Sequence, residues 1–458
     1  MMPMGTSLSR WTMSYFAAAL LFLLFAEGLL ATGSRVPSLD IAEPRALIIV
    51  HSTTIGWLGL LMIGALLQFG PVVTGLSLPT GNLGLTVLGG VVFGLGLLLC
   101  GFRLIENGSV MAGPVMVTAA SVLVISILSI ASVLFALLWR GRNAHEASRF
   151  LLIGICSLAA TVALGALFAL VISGTVGIPS VVSFVVDAAP LHAGLGLGGW
   201  MTFGAIGVTY KLLPMFLLSN DMKRSVLLYS GGWAVVGLLV CAAIALVFDA
   251  NVAAGTLALL APFFLLIATA AYLAELFRTY RGRRRKTLEL NTFWSLPAFV
   301  LLGASVPLLA FALVFHAGQH AIIALSYLFV FGWLSGLGLA QLLKIVPFLT
   351  WIEAFGPLLG RRPTPRLADL VAAGRSSIWL GAFYVAVVCA AAAIFLQWDD
   401  AFRMAAFVQA LSTAALAVEL ALSRGLVGVD AEAKQFPFKH PSFFFAGNNR
   451  GNANGSAS

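Results

Sequence analysis

The histidines are the residues of this sequence best suited to chemistry. Four of the six, His51, His192, His316 and His320, precede a Gly-Trp pair in three apolar stretches. Neutral imidazole is the commonest metal ligand in proteins and a frequent axial ligand of haem iron. One histidine in an apolar stretch more often packs in a core as a hydrogen-bonded side chain. Histidines in three matching stretches favour a metal or haem site, and both interpretations stay open.

The three stretches share a frame of small, aromatic and polar residues. Each Gly-Trp pair, at 56–57, 199–200 and 332–333, is followed 14 residues after the Trp by a proline. A small residue lies seven positions after each Trp, and Gln68, Lys211 or Lys344 lies eleven positions after it. Internal repetition over this length predicts three units of several helices each.

Composition indicates the class of protein. The chain has 458 residues, of which 60% are hydrophobic and 9% charged, and its mean hydropathy is +1.02. A soluble protein of this size must present a polar surface to water, so this composition favours a protein embedded in lipid. The net charge is +9, but the basic residues cluster in a few loops. That pattern is typical of membrane topology and argues against a nucleic-acid partner.

Twelve apolar segments are long enough to cross a bilayer, which takes about 20 residues of helix. If three units share twelve spans, each unit holds four, so we predict an all-α integral membrane protein built as three four-helix pseudo-repeats. The first span resembles a signal peptide, but its apolar core is longer, and we expect a retained helix. The predicted spans are 14–32, 46–69, 82–101, 114–139, 149–173, 190–214, 225–247, 252–276, 294–316, 320–350, 377–397 and 401–423.

The basic residues predict the orientation. Loops after even-numbered spans, together with both termini, hold 22 Lys and Arg residues, and the opposite side holds four. The positive-inside rule therefore predicts a multi-pass protein of a bacterial-type inner membrane with both termini in the cytoplasm. We expect one transmembrane domain over residues 1–424 and a polar, disordered cytoplasmic tail over 425–458, with the lipid bilayer as a partner.

Polar residues inside or beside the spans have more than one interpretation. Lys211 and Lys344 lie near the predicted cytoplasmic ends of their spans, where snorkelling to the interface and a proton path are both open. Glu27 lies deeper in the first span, with Arg35 as a candidate partner. His145 is expected to be cytoplasmic and solvated. The four cysteines lie in apolar spans without metal-site spacing, which is typical of small buried residues.

Twelve spans in three units, with histidines at the external ends of spans 2, 6 and 10, resemble the haem–copper oxidase subunit I superfamily and its compact cbb3-like members. The resemblance covers the chain from the first span to the last. It implies that His51 is an axial ligand of a low-spin haem, with His320 or His316 supplying the second ligand. It also implies that His192 occupies a copper-type position.

The chain departs from this family at the copper site. The family carries a His-His pair around span 7, and residues 225–247 contain no histidine. Copper opposite a high-spin haem needs three imidazoles, and only His192 is available. Tyr210 lies 18 residues after His192, near the other membrane face, unlike a cross-linking tyrosine. We therefore expect no copper and no oxygen reduction.

Three functions are compatible with these residues. The first is a haem-binding or redox-associated membrane protein on a degenerate oxidase-like scaffold, with a respiratory-chain protein or a small c-type cytochrome as partner. The second is a transporter or permease without haem. The third is an accessory or assembly factor for a respiratory or nitrogen-oxide-linked complex. The sequence indicates neither an electron donor nor a transported substrate.

Overall fold

A computed structural model describes residues 9–33, 37, 43–78, 81–223, 225–430 and 440–445 of the chain. Over these residues the structure is helical and contains no strand. Twelve helices of the described ranges are long and apolar enough to cross a membrane, so the predicted all-helical protein with twelve spans is confirmed. They are α1 (Thr12–Ala31), α2 (Pro44–Thr74), α3 (Leu83–Glu106), α4 (Ala112–Arg140), α5 (Glu146–Ile172), α6 (Pro179–Leu217), α7 (Val226–Val247), α8 (Asn251–Arg281), α9 (Leu290–Val314), α10 (Gln319–Leu358), α11 (Ala373–Leu396) and α12 (Asp399–Arg424).

The helices that carry the Gly-Trp pairs, α2, α6 and α10, meet in the interior of the bundle. Trp57 Nε1 in α2 donates a hydrogen bond of 2.9 Å to Ser335 Oγ in α10. Gly204 of α6 lies against the side chain of Met62 in α2. Each of these three central helices also packs against the helix before it and the helix after it in the chain.

The glycine before each of these tryptophans brings its central helix close to the preceding helix. A Cβ atom at any of the three positions would overlap a side chain of that helix, so only glycine fits without a shift. The small residues seven positions after the first two tryptophans, Gly64 and Gly207, also lie in close contacts between helices. The three tryptophan-linked contacts are Gly56 with Phe22 of α1, Gly199 with Ser157 of α5, and Gly332 with Leu301 of α9. This recurrence agrees with the proposed repeats, whose four-helix organisation stays a prediction.

Each central helix contains a π-helical segment of eight residues around its Gly-Trp pair. These segments are Ser52–Gly59, Gly194–Met201 and Leu328–Ser335. At the C-terminal ends of two of these segments, a hydroxyl donates a hydrogen bond to the carbonyl oxygen five residues earlier. The donors are Thr202 Oγ1, over 2.7 Å, and Ser335 Oγ, over 2.9 Å. π-Helical turns are rare and occur frequently at functional sites.

Two predicted helix boundaries are wrong. The sixth helix begins at Pro179, well before residue 190, and the tenth continues past Pro347 to Leu358. A proline removes only one backbone hydrogen bond, and packing inside a membrane bundle can hold the helix together around it. Pro71 and Pro214, in contrast, lie in the last turns of their helices.

The segment after α12 is partly ordered against the bundle. Leu426 and Val429 are buried in a small cluster with Phe355. Farther along, the Arg424 guanidinium donates hydrogen bonds of 2.6 and 2.9 Å to the carbonyl oxygen of Ser442. The described residues 425–430 and 440–445 thus contact the bundle, and the disorder of the tail over 425–458 stays a prediction.

Candidate functional site

His51 is the last residue before the π-helical segment of α2, and it is half-buried. Its Nδ1 lies 2.8 Å from the carbonyl oxygen of Leu47, which accepts a hydrogen bond from it. The ring also packs against Phe102 of α3, with centroids 5.3 Å apart. This hydrogen bond leaves Nε2 available as a ligand atom, which is the usual way a protein orients a ligating histidine.

His192 lies eight residues before Trp200 in α6, much as His51 lies six residues before Trp57 in α2. The His192 ring packs against Phe168 of α5, with centroids 5.2 Å apart, and against Gly165, where a Cβ atom would crowd it. Its Nδ1 is buried and has no hydrogen-bond partner among the described residues. His51 therefore packs against α3, and His192 packs against α5.

The other two predicted ligands lie elsewhere. Because α10 begins at Gln319, His316 lies in the preceding connection, exposed and with a left-handed φ of 51°. His320 is the second residue of α10, thirteen residues before Trp333. The two histidines are therefore not one turn apart on a single helix.

The predicted haem ligands His51 and His320 do not fit one haem as they are placed. The Trp57–Ser335 hydrogen bond puts the π-helical segments of α2 and α10 at one level. His51 is only six residues from its tryptophan, so His320 lies about 10 Å farther along the bundle, at 1.5 Å per residue. Two axial imidazoles must reach the same iron. Within the described residues, no three His, Cys, Asp or Glu side chains are grouped to hold a metal ion.

Lys344 and Lys211 have different surroundings. Lys344 is paired at the start of α9, where its Nζ lies 2.7 Å from Glu289 Oε2. It also lies over the ring of Phe216 in α6, 5.7 Å from the centroid. Snorkelling and a proton path both stay open for Lys344. The positive charge of Lys211 lowers the pKa of the His145 side chain.

His145 was expected to be solvated, and that prediction is wrong. Its side chain is 9% exposed, and its Nδ1 accepts a hydrogen bond of 3.1 Å from the backbone N–H of Ala147. It therefore caps the N-terminus of α5 as a neutral imidazole. Burial lowers the pKa of His145, nearby Lys211 lowers it further, and Asp221 raises it.

The three tryptophans of the Gly-Trp pairs form what we call the tryptophan layer: Trp57, Trp200 and Trp333. Their side chains are 0%, 3% and 0% exposed. Three large indole rings are thus buried at matching positions of the three central helices. The hydrogen bond between Trp57 and Ser335 fixes one ring against its neighbouring helix.

A cavity of about 90 Å³ lies next to the tryptophan layer, on the side of the C-terminal halves of α2, α6 and α10. The residue that follows each tryptophan lines it, namely Leu58, Met201 and Leu334, and its lining continues toward the C-terminal halves of α2, α6 and α10. The lining is apolar except for Thr209 and Gln341. None of the histidines lines this cavity. It is a candidate solute site in the interior of the bundle.

A second buried feature, the Glu27 cluster, consists of Glu27, Tyr327, Gln409 and Thr413. Glu27 of α1 is 0% exposed, and its Oε1 accepts hydrogen bonds from Gln409 Nε2 (2.9 Å) and Thr413 Oγ1 (3.1 Å) of α12. Tyr327 of α10 donates a 2.7 Å hydrogen bond to Gln409 Oε1. Glu27 Oε2 has no partner within the described part of the chain, and Arg35, its predicted partner, lies outside that part.

Sequence reasoning identified Glu27 but missed the other members of the cluster. The sequence did contain a sign of these residues, because Gln409 and Thr413 are four residues apart and therefore share one face of α12. Polar side chains on one face of a membrane helix point to a polar partner inside the bundle. The sequence did not indicate which helix supplies that partner.

Comparison with known proteins adds no family assignment. No protein-family model matches the chain, and no curated protein matches it. The tryptophan layer, the cavity and the Glu27 cluster are therefore the features from which a function can be inferred.

Proposed function

We propose that this chain is a membrane transporter or permease that works through the cavity below the tryptophan layer. The observation that carries the proposal is the position of that cavity, which starts at the residue after each of the three tryptophans. A solute site between central helices, closed at one end by a buried aromatic layer, is the arrangement that alternating access requires. The π-helical segments at the same level supply irregular backbone where such helices could change shape.

The lining of the cavity favours a small, uncharged solute. It offers two polar side chains, Thr209 and Gln341, and no charged one. Gln341 is already bound, since its Nε2 donates 2.8 Å to Ser295 Oγ and its Oε1 accepts from Asn291. An apolar cavity of about 150 Å³ accommodates benzene or xenon. A site of about 90 Å³ suits a smaller molecule.

The proposal includes an orientation in a bacterial-type inner membrane with both termini in the cytoplasm. The excess of Lys and Arg in the loops after even-numbered helices supports this orientation. The C-terminal halves of α2, α6 and α10 then face the cytoplasm, and so does the cavity. The tryptophan layer separates it from the external side.

Cysteine accessibility tests the proposal without knowledge of the solute. In a variant whose four native cysteines are replaced by serine, Ala205→Cys places a thiol on the cavity wall. We expect this thiol to react with a membrane-impermeant methanethiosulfonate in inverted vesicles. The matched control, Ala19→Cys, is buried in α1 outside the cavity lining and should stay unreactive. Equal protection of both thiols would contradict a water-accessible cavity.

Haem binding is the second candidate function, and the orientation of His51 favours it. For this candidate we take His192 as the second ligand, because it lies eight residues before its tryptophan and His51 lies six before its own, whereas His320 lies thirteen before Trp333. Such a protein would be redox-associated and would have a respiratory-chain protein or a small c-type cytochrome as partner. The absorption spectrum of the purified protein tests it. His51→Ala and His192→Ala should each alter the haem spectrum, whereas His320→Ala should not. A preparation without a Soret band, even after haem is added, would reject this candidate.

A further inference from the structure

We propose that Glu27 is a proton-binding site, protonated in the structure described above, which exchanges its proton with the aqueous phase. Proton binding follows from the Glu27 cluster itself. The role we give it, as the site of the coupling ion, rests on the proposed transport function. The site and the cavity lie on opposite sides of the tryptophan layer, so the two can be tested separately.

The hydrogen bonds of Glu27 indicate a neutral carboxyl. An ionised carboxylate offers about four acceptor positions on two oxygens and is stable in a low-dielectric interior only with several donors or a positive charge. Glu27 receives two donors, from Gln409 and Thr413, both neutral and both at Oε1. The buried Oε2 has no donor within the described residues. A proton on Oε2 removes the uncompensated charge.

The charged groups of the neighbouring helices are engaged elsewhere. Arg45, at the start of α2, donates a 2.8 Å hydrogen bond to the carbonyl oxygen of Leu29. His51 of the same helix is bound to Leu47. Tyr327 is the titratable residue of α10 in the cluster. Among the described residues, the helices that pack against α1 also hold ion pairs: Arg103 with Glu106 in α3, Arg403 with Asp400 in α12, and Glu419 and Arg424 of α12 with Arg375 of α11 and Glu353 of α10.

The position of Glu27 gives its proton a short route to water. It lies four residues before the end of α1 at Ala31, about 6 Å along the helix axis. Tyr327 is six residues before Trp333, about 9 Å away on the side of the tryptophan layer opposite the cavity. Under the proposed orientation, Glu27 therefore exchanges with the external side while the cavity faces the cytoplasm.

Hydrogen bonds within the Glu27 cluster also link the proposed proton site to the central helix α10. Gln409 donates to Glu27 through Nε2 and accepts from Tyr327 through Oε1, so one amide joins the carboxyl to the phenol. Hydrogen bonds in such a chain polarise one another. Tyr327 is the last residue before the π-helical segment of α10. A change of charge on Glu27 is therefore transmitted to the segment that holds Ser335 against Trp57.

Infrared spectroscopy of the full chain in liposomes tests the proposal. We expect a protonated-carboxyl stretching band at neutral pH that shifts when the liposomes are transferred to D₂O. Glu27→Gln should remove this band, and its amide can still accept from Gln409 and Thr413. The matched control, Glu419→Gln, should leave the band unchanged, because Glu419 is ionised in its ion pair with Arg375.

Each other outcome contradicts the proposal in a specific way. Identical spectra for the parent and Glu27→Gln would mean that Glu27 is ionised, as it would be if Arg35 paired with it. A band that Glu27→Gln removes but that never shifts in D₂O would mean a structural acid without exchange. Size-exclusion chromatography of Glu27→Gln establishes that the variant is folded. Because the experiment does not involve the cavity, its result is independent of the Ala205→Cys accessibility test.

Discussion

Replacing Arg424 by Met should destabilise the bundle more than any exposed ion-pair substitution. Arg424 ends α12 and is 3% exposed. Its guanidinium donates 2.6 Å to Glu353 Oε2 and 3.2 Å to Thr350 Oγ1, both on α10, as well as to Ser442. Glu353 is itself 8% exposed, so the substitution removes the guanidinium that faces a buried carboxylate.

The expected loss is about 3–5 kcal/mol of unfolding free energy, the range found when one partner of a buried ion pair is removed. The pair joins α12 to α10 and to the described part of the tail, so several contacts weaken together. Replacing both Arg424 and Glu353 by Met should recover much of the loss, because the buried carboxylate is then removed as well.

Titration with SDS followed by circular dichroism measures the effect. The control is Arg103→Met, whose ion pair with Glu106 is exposed on both sides, and its unfolding free energy should change by less than about 1 kcal/mol. The reasoning is refuted if Arg424→Met and Arg103→Met lose the same amount. It is also refuted if the double variant is less stable than Arg424→Met alone.

Two further predictions concern packing and pH. Gly199→Ala should cost about 1–3 kcal/mol because its Cβ overlaps Ser157, whereas Gly237→Ala, with open space around it, should cost nothing measurable by the same titration. The pKa of His145 is lower in the folded protein than in the unfolded chain. Its contribution to stability is therefore complete above about pH 6.5 and is lost as the pH falls from there through the lower pKa of the folded state. His145→Asn, which can still cap α5, should flatten this part of the melting temperature–pH profile, and an unchanged profile would rule out His145 as its source.

The membrane architecture could be predicted from the sequence because hydropathy alone specifies helices in lipid. Backbone groups in a bilayer must bond internally, so each long apolar segment has essentially one structure. The Gly-Trp frame falls on the three helices that meet in the interior, since glycine is required wherever a helix approaches as closely as Gly199 approaches Ser157. The predicted tenth span already ran past Pro347 but ended at residue 350, whereas the helix continues to Leu358.

The polar pairings could not be predicted, because they depend on which helix faces which. Glu27 was assigned to Arg35 by proximity in sequence, yet the described structure surrounds it with Gln409 and Thr413, almost 400 residues away in the chain. His320 was expected beside His51 because helix number was used as a guide to depth. Counted back from the tryptophans, His51 lies at six residues, His192 at eight and His320 at thirteen, and the ligand assignment stays a prediction.

The most direct test of the transport proposal is whether the tryptophan layer closes the cavity from the outside. The measurement is the reactivity of Ala205→Cys toward an impermeant methanethiosulfonate added to the external side of right-side-out vesicles. We predict protection in the parent background and reaction once Trp57→Ala or Ser335→Ala removes the Trp57–Ser335 hydrogen bond. Trp139→Ala, which changes a tryptophan 51% exposed on α4, serves as control and should leave the thiol protected. Continued protection in both the Trp57→Ala and Ser335→Ala variants would contradict the account.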